Sequence, residues 1–313
     1  MPNREYKIGP VPGRLQSWAL GFLAGGGRDD PSTQQRADAL ERMACSRPCQ
    51  AVRLWWARRH RRCRAVAMIV ESPGRTGMLY HCPAAAPRTS TEALIELIAA
   101  LSREALASGM SLVQSLAAPA AKAGIAATRS AGYDPLAELV YMKLDLAQPT
   151  ERKIDDSLSW RSYGQFNDEE LGRVIAATYE DSCDCPKLRG KRPMDQIIAG
   201  HKASGMFVPQ SWWIVDRDGE PAGCVLVNES TDIESAELVY LGVVKATRGL
   251  GLGRKMIQRV AADAYLRGRR ALTLAVDTRN TYAKRIYDLE GFREVGRRMA
   301  HVMFRHHAEN GPR

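Results

Sequence analysis

Apolar residues in the second half of the chain recur with a period that switches between helix and strand. Residues 166–180 and 193–204 carry apolar positions three and four apart, which predicts two helices, and Pro193 suits a first helical turn. Trp212–Asp216, Ala222–Asn228 and Ala236–Val244 are short apolar runs, the first two joined by Asp218-Gly219. That pattern predicts an antiparallel meander. Gly251–Arg267 follows, with Met256, Ile257, Val260, Ala261 and Ala264 on one helical face. Strand Ala271–Val276, helix Ala283–Glu290, a stop at Gly291 and strand Arg297–Phe304 complete the series. Strands followed by helices that alternate with strands predict an α+β or mixed-sheet domain, with a βαβ unit in outline over 236–276.

The first half repeats this pattern. Residues 53–68 (RLWWARRHRRCRAVAM) parallel 210–225 (QSWWIVDRDGEPAGCV), with a Trp-Trp pair opening each strand at an offset of 157. Met78-Leu79-Tyr80 parallels Leu238-Val239-Tyr240 at offset 160, and Gly132-Tyr133 parallels Gly291-Phe292 at offset 159. Near-constant offsets over so long a stretch predict a duplication. The seam falls near Asp145–Ser159, which is polar, contains Pro149 and lacks apolar periodicity. The expected organisation is a first domain over 1–146, a linker over 147–158 and a second domain over 159–313.

Length agrees, since 313 residues make about two domains. No apolar run approaches the roughly 20 residues that span a bilayer, and the N-terminus has no apolar signal core, so a cytoplasmic protein without membrane contact is expected. The net charge of +10 favours anionic partners such as phosphorylated cofactors. No nucleic-acid-binding motif is present, so nucleic acid is not the expected partner. Cysteines are odd in number and scattered, as reduced thiols are. Cys183 and Cys185, with His201 the nearest histidine, could contribute to a zinc site or be free loop thiols.

The chemistry gathers around Arg248-Gly249-Leu250-Gly251-Leu252-Gly253, which follows an apolar strand and opens an amphipathic helix. Glycines let a ligand approach the backbone, and a helix N-terminus attracts anions, so pyrophosphate is the natural occupant. The loop ends in Gly253-Arg254-Lys255, not in the Gly-Lys-Ser/Thr of a Walker loop. Its GxGxG spacing, late in the domain, is not that of a dinucleotide fold. A ligand-free glycine-rich connection is the plain alternative.

Two motifs here resemble the GNAT family of N-acetyltransferases. Arg248-x-x-Gly251-x-Gly253 matches its acyl-CoA signature, and Asn280-x-x-Ala283-x-x-x-Tyr287-x-x-x-Gly291-Phe292 matches its second motif. The resemblance covers about 157–305 and extends more weakly to the first half. It implies two tandem GNAT-like domains, each a mixed, mostly antiparallel sheet flanked by helices. It implies acetyl-CoA as donor, a primary amine as acceptor and direct transfer in a ternary complex. Leu241, Gly242 and Val243 are expected to pair with the pantetheine amides. Main-chain N–H groups from Arg248 through Gly249, Leu250, Gly251 and Leu252 to Gly253 are expected to cradle the pyrophosphate, with the side chains of Arg248, Arg254 and Lys255 supplying positive charge. Asn280, with Ala283 beside it, is expected on the cofactor arm, and Tyr287 as the acid that protonates the leaving thiolate. Glu237 is either the general base or an ordinary solvated strand residue, with Glu234 and Tyr240 in reserve. A non-catalytic acyl-CoA-binding module is the alternative function.

In the first half the loop reads Cys82-Pro-Ala-Ala-Ala-Pro87-Arg88, with no glycine, and Ala121 and Thr128 stand where Asn280 and Tyr287 would be. A degenerate, non-catalytic domain is expected there. Arg58–Arg64 is read as a hairpin turn or a phosphate contact. In the second half Tyr179, Glu180, Asp181 and Arg189 lie on a connection that lines the acceptor pocket in the family, or on a plain surface loop.

Overall fold

The computed structural model describes residues 6–28, 30–45, 51–147, 158–230 and 234–305. Most of the expected linker, 148–157, lies outside them. Two compact units are present, one of residues 1–136 with 299–313 and the other of residues 137–298.

The first unit contains β1 (Lys7–Pro10), α1 (Gln16–Gly25), α2 (Pro31–Cys45), β2 (Val52–Arg59), β3 (Arg62–Ser72), β4 (Thr76–His81), α3 (Thr91–Ala107), β5 (Leu112–Ala117) and α4 (Lys122–Ser130). β6 (Asp134–Asp145) begins there and runs into the second unit. The second unit continues with β7 (Leu158–Ser162), α5 (Asp168–Thr178), α6 (Met194–Lys202), β8 (Trp212–Arg217), β9 (Glu220–Glu229), β10 (Ser235–Val243), α7 (Leu252–Leu266), β11 (Ala271–Asp277) and α8 (Thr281–Leu289). β12 (Arg293–Phe304) starts in the second unit and ends in the first.

The sequence pattern accounts for most of these elements. Asn167 caps α5 by accepting from Glu170 N at 2.9 Å, and three acids fill its first turn, where the helix dipole favours them. The β2–β3 hairpin turns through His60 and Arg61, both at positive φ, and β8–β9 turns through Asp218 and Gly219 in the same way. Two positive φ angles are what a tight hairpin matching the strand twist requires. The basic cluster Arg58–Arg64 is therefore the counterpart of the Asp218-Gly219 turn, and Arg58 lies over the Trp56 ring at 4.2 Å. The second Trp pair is structural: Trp212 is fully buried and donates from Nε1 to Asn228 Oδ1 at 2.8 Å. β7 has no counterpart in the sequence reading; it begins at Leu158, the last residue assigned to the linker.

Each unit is built on a mixed, mostly antiparallel sheet. In the first, neighbours run β1-β2-β3-β4-β5 and then β12, with Met299–Phe304 antiparallel to Ala117–Leu112. In the second, they run β6-β11-β10-β9-β8-β7, with Leu139–Asp145 antiparallel to Asp277–Ala271. The two repeats thus exchange their final strands, and the compact units are not the sequence halves. In the second unit α7 and α8 lie over a core that includes Val225, Leu238, Met256, Ile257 and Leu274. α5 and α6 cover the opposite face, around Trp212, Ile214 and Leu226.

Candidate active site where two parallel strands part

β10 and β11 are parallel but pair only at their starts, Ser235–Glu237 with Ala271–Thr273. Beyond Glu237, β10 continues to Val243 against β9 alone. A register shift between Leu238 and Tyr240 accompanies the parting, and a bulge of this kind bends and twists a strand. Leu238 and Leu241 join the core under α7, whereas Val239 and Tyr240 face α5 and α6. The edge of β10 at Leu241, Gly242 and Val243 is thereby left without a β11 partner among the described residues.

Gly242 is held tightly. A Cβ there would lie 2.5 Å from Thr178 Oγ1 and 2.8 Å from the Tyr240 hydroxyl. Downstream, Gly249 and Gly251 are at φ +80° and +76° with open space around them, so backbone conformation rather than crowding calls for glycine. No side chain caps α7, whose N-cap is Gly251. Its first N–H groups and dipole therefore face the loop, as an anion site requires. This cradle fits a pyrophosphate and the unpaired β10 edge fits an extended amide arm.

Two side chains depart from their expected roles. The Arg248 guanidinium donates to the carbonyls of Thr178 at 3.0 Å, Glu180 at 2.6 Å and Val243 at 3.2 Å. It braces the loop against the end of α5 rather than offering its charge to a phosphate. Arg254 is ion-paired with Glu290, which Gln258 also contacts at 3.0 Å.

Asn280 caps α8, its Oδ1 accepting from Ala283 N at 3.2 Å. That leaves its Nδ2 protons for another acceptor. Tyr287, 7% exposed, packs against Phe292 at 5.5 Å between ring centroids. Burial pushes its phenol well up, and the Asp184 charge adds to this. Asp184 reaches it because the loop after α5 docks on the end of β11, where Cys185 N donates to the fully buried Asp277 Oδ2 at 3.3 Å. Arg279 answers that carboxylate at 2.5 Å.

Glu237 faces the α5–α6 side and accepts from Ser204 Oγ at 3.2 Å. Burial raises its pKa, and the Ser204 bond opposes this. It is not a freely solvated residue. The reserve bases fare worse: Glu234 is exposed beside Arg270, and the Tyr240 phenol, raised by burial, bonds Thr178 Oγ1 at 2.5 Å.

On the loop after α5, Glu180 and Asp181 both pair with Lys245 at 2.8 Å, and Arg189 donates to Ser182 O. Only Tyr179 turns inward, meeting Tyr240 edge-on at 6.1 Å. Arg192 and His201 join it there. Sequence reasoning had considered His201 only as a distant partner for the cysteine pair, and Arg192 not at all. His201 instead packs on Tyr240 at 5.4 Å. Among the described residues no group of three His, Cys, Asp or Glu side chains could hold a metal. Cys224, also on this side, is fully buried and its thiol is pushed up by burial, so it is no nucleophile.

In the first unit the equivalent space is filled. His81 Nε2 lies 3.4 Å from Thr128 Oγ1, and Thr128 stands where Tyr287 does. The turn after α1 packs on the glycine-free loop, Gly26 against Ala86 and Gly27 against Arg88. The N-cap of α4 is Ala121, which offers no side-chain hydrogen bond, where α8 has Asn280.

The acetyltransferase (GNAT) family model matches residues 175–292. A 5-NmdU N-acetyltransferase of Pseudomonas phage PaMx11 is 34% identical over 83 residues, 26% of this chain and 57% of the phage protein. The match thus spans little more than half the length of that relative. Among solved structures, a GCN5-related N-acetyltransferase from Sphaerobacter thermophilus aligns over 98% of both chains, with a TM-score of 0.63 and 18% identity. A tandem GNAT protein from the clavulanic acid biosynthesis pathway aligns over 97% of this chain and 100% of its own, with a TM-score of 0.53 and 15% identity. At those identities the likeness is one of fold. The segment that matches the acetyltransferase (GNAT) family, residues 175–292, holds the parting strands, the glycine loop and Tyr287.

Proposed function

We propose that the chain is an acyl-CoA-dependent N-acyltransferase that moves an acetyl group from acetyl-CoA to a primary amine within a ternary complex. The observation that carries this reading is the meeting of three features in the second unit. They are an unpaired β10 edge, an uncapped helix behind a glycine loop, and a buried tyrosine beside the parting of the strands. Leu241–Val243 hold the pantetheine arm, the loop N–H groups from Arg248 to Gly253 hold the pyrophosphate, and Asn280 donates from Nδ2 to the arm.

An alkylammonium is almost wholly protonated at neutral pH and must lose a proton before it can attack. Glu237, made more basic by burial, takes that proton. The amine nitrogen then bonds to the acyl carbon as the C–S bond breaks. Tyr287 keeps its proton at neutral pH and gives it to the departing thiolate. The charge that leaves the sulfur rests on the Tyr287 oxygen until the phenol is reprotonated from solvent, so burial keeps the proton in place for donation and makes that reprotonation favourable. The filled first unit supports the reading of that half as non-catalytic.

Three measurements test this. Titrating acetyl-CoA into the full-length chain is expected to give one site; two sites would show that the first unit also binds. Tyr287→Phe is expected to lower kcat roughly 10²–10⁴-fold, the usual worth of a positioned acid, with acetyl-CoA affinity little changed. Acetyl-CoA binding without CoA thiol release across a panel of amines would leave a binding module in place of an enzyme. The phage relative is named for 5-NmdU, and that acceptor belongs in the panel.

A further inference from the structure

A half-buried guanidinium on the acceptor side of the sheet has no carboxylate to answer it. Arg192, two residues before α6, makes no hydrogen bond or ion pair among the described residues. The protein packed around it lowers its pKa, and only the Tyr179 phenol acts in the opposite sense. Its charge reaches His201, whose Nε2 is buried without a partner. His201 lies on Tyr240, which stands two residues before Gly242 on the face that also carries Glu237. Neither tyrosine supplies an anion at neutral pH: burial pushes Tyr179 up to about 12 and Tyr240 well above the usual phenol range.

A half-buried cation with no carboxylate partner and, within reach of its charge, a buried ring nitrogen with no partner are costly to keep together. Both are satisfied by one chemistry. A guanidinium binds carboxylate or phosphate through paired N–H groups, and a neutral imidazole protonated at Nε2 adds one more donor. We propose that Arg192 and His201 form an anion subsite that receives a carboxylate or phosphate group carried by the amine acceptor. Glu237, on the same face, serves the amine at the other end of that molecule. The assignment of the anion to an acceptor rests on the acyl-transfer reading; the anion site itself does not. A basic chain, at +10, draws such acceptors in.

The test has a kinetic arm and a binding arm on the full-length chain. Propylamine, β-alanine and 3-aminopropyl phosphate are compared as acceptors at saturating acetyl-CoA. One of the two anionic amines is expected to have a KM about tenfold or more below that of propylamine, as a charge-assisted hydrogen bond supplies. Which one it is separates carboxylate from phosphate. Arg192→Gln is expected to remove the difference and Arg192→Lys to keep part of it, with acetyl-CoA affinity unchanged in both.

In the binding arm, the His201 imidazole is followed by NMR, assigned with His201→Gln. Its titration midpoint, held down to about 4 by burial and by Arg192, is expected to rise when inorganic phosphate or acetate is added. No such rise is expected in Arg192→Gln. If neither anion moves the midpoint in the wild type, the subsite is overturned, whatever the amines do. If amines are acetylated with no preference for the anionic ones, its role in acceptor recognition is overturned. A midpoint that moves while no amine is acetylated leaves the anion site standing and removes the acyl-transfer reading instead.

Discussion

The Arg248 guanidinium lies against the last carbonyls of α5, where a cation meets the negative end of the helix dipole. A motif position thus ties the glycine loop to the connection that carries Tyr179 and Arg192. Because Arg248 is exposed, Arg248→Ala is expected to cost only about 1 kcal/mol of stability. It is also expected to raise both the acetyl-CoA Kd and the acceptor KM, which titration and initial rates would reveal. Glu237 gives a pH signature. Its folded pKa is raised, so it contributes stability below its unfolded pKa that is lost as pH rises through the folded value. Glu237→Gln is therefore expected to raise the melting temperature at neutral pH, with the gain closing as pH falls below about 4.5, near the ordinary glutamate value. In the proposed role of base, Glu237 would work only when ionised, so kcat/KM is expected to fall on the acid side, and the glutamine variant to lose that limb. The motif residues were legible because their spacing is local. Arg192 and His201 were not, because their meaning lies in what they lack, and an absent partner is visible only after folding.

At the scale of elements, the strand–loop–helix around Gly251 could be read from glycine spacing and from the apolar stripe of α7. The parting of β10 from β11 could not. It goes with a register shift against β9 between Leu238 and Tyr240, and the intervening Val239 does not mark it. β7 was missed for a related reason: its residues Leu158–Ser162 carry too little alternation and find their place only beside β8. Two glycines separate conformation from crowding. Gly251→Ala places a side chain at φ +76° in open space, so strain alone acts and a loss of about 1 kcal/mol is expected. Gly242→Ala drives a methyl group onto Thr178 and Tyr240, for which about 1–3 kcal/mol is expected. Chemical denaturation ranks the two. Acetyl-CoA titration is expected to show weaker binding in both, through the loop in one and the β10 edge in the other.

Across the whole molecule, the duplication was legible as a constant offset, but the exchange of final strands was not. Ala300, His301 and Val302, all buried, complete the first unit beside β5. A chain ending at Arg298 is expected to lose roughly 3 kcal/mol or more from that unit, as buried apolar side chains return to water, and to expose the β5 edge. Calorimetry would detect the loss as an earlier transition. The exchange also sets the order in which the protein can be finished on the ribosome. β5 is complete at Ala117, yet the residues of β12 that pair with it begin at Met299. At about 5–20 residues per second, roughly 10–40 s of synthesis pass before its edge is sealed. During that interval the nascent N-terminal repeat holds an open template for foreign strands, and a chaperone that covers the edge, or faster translation, is expected to raise its yield in the cell.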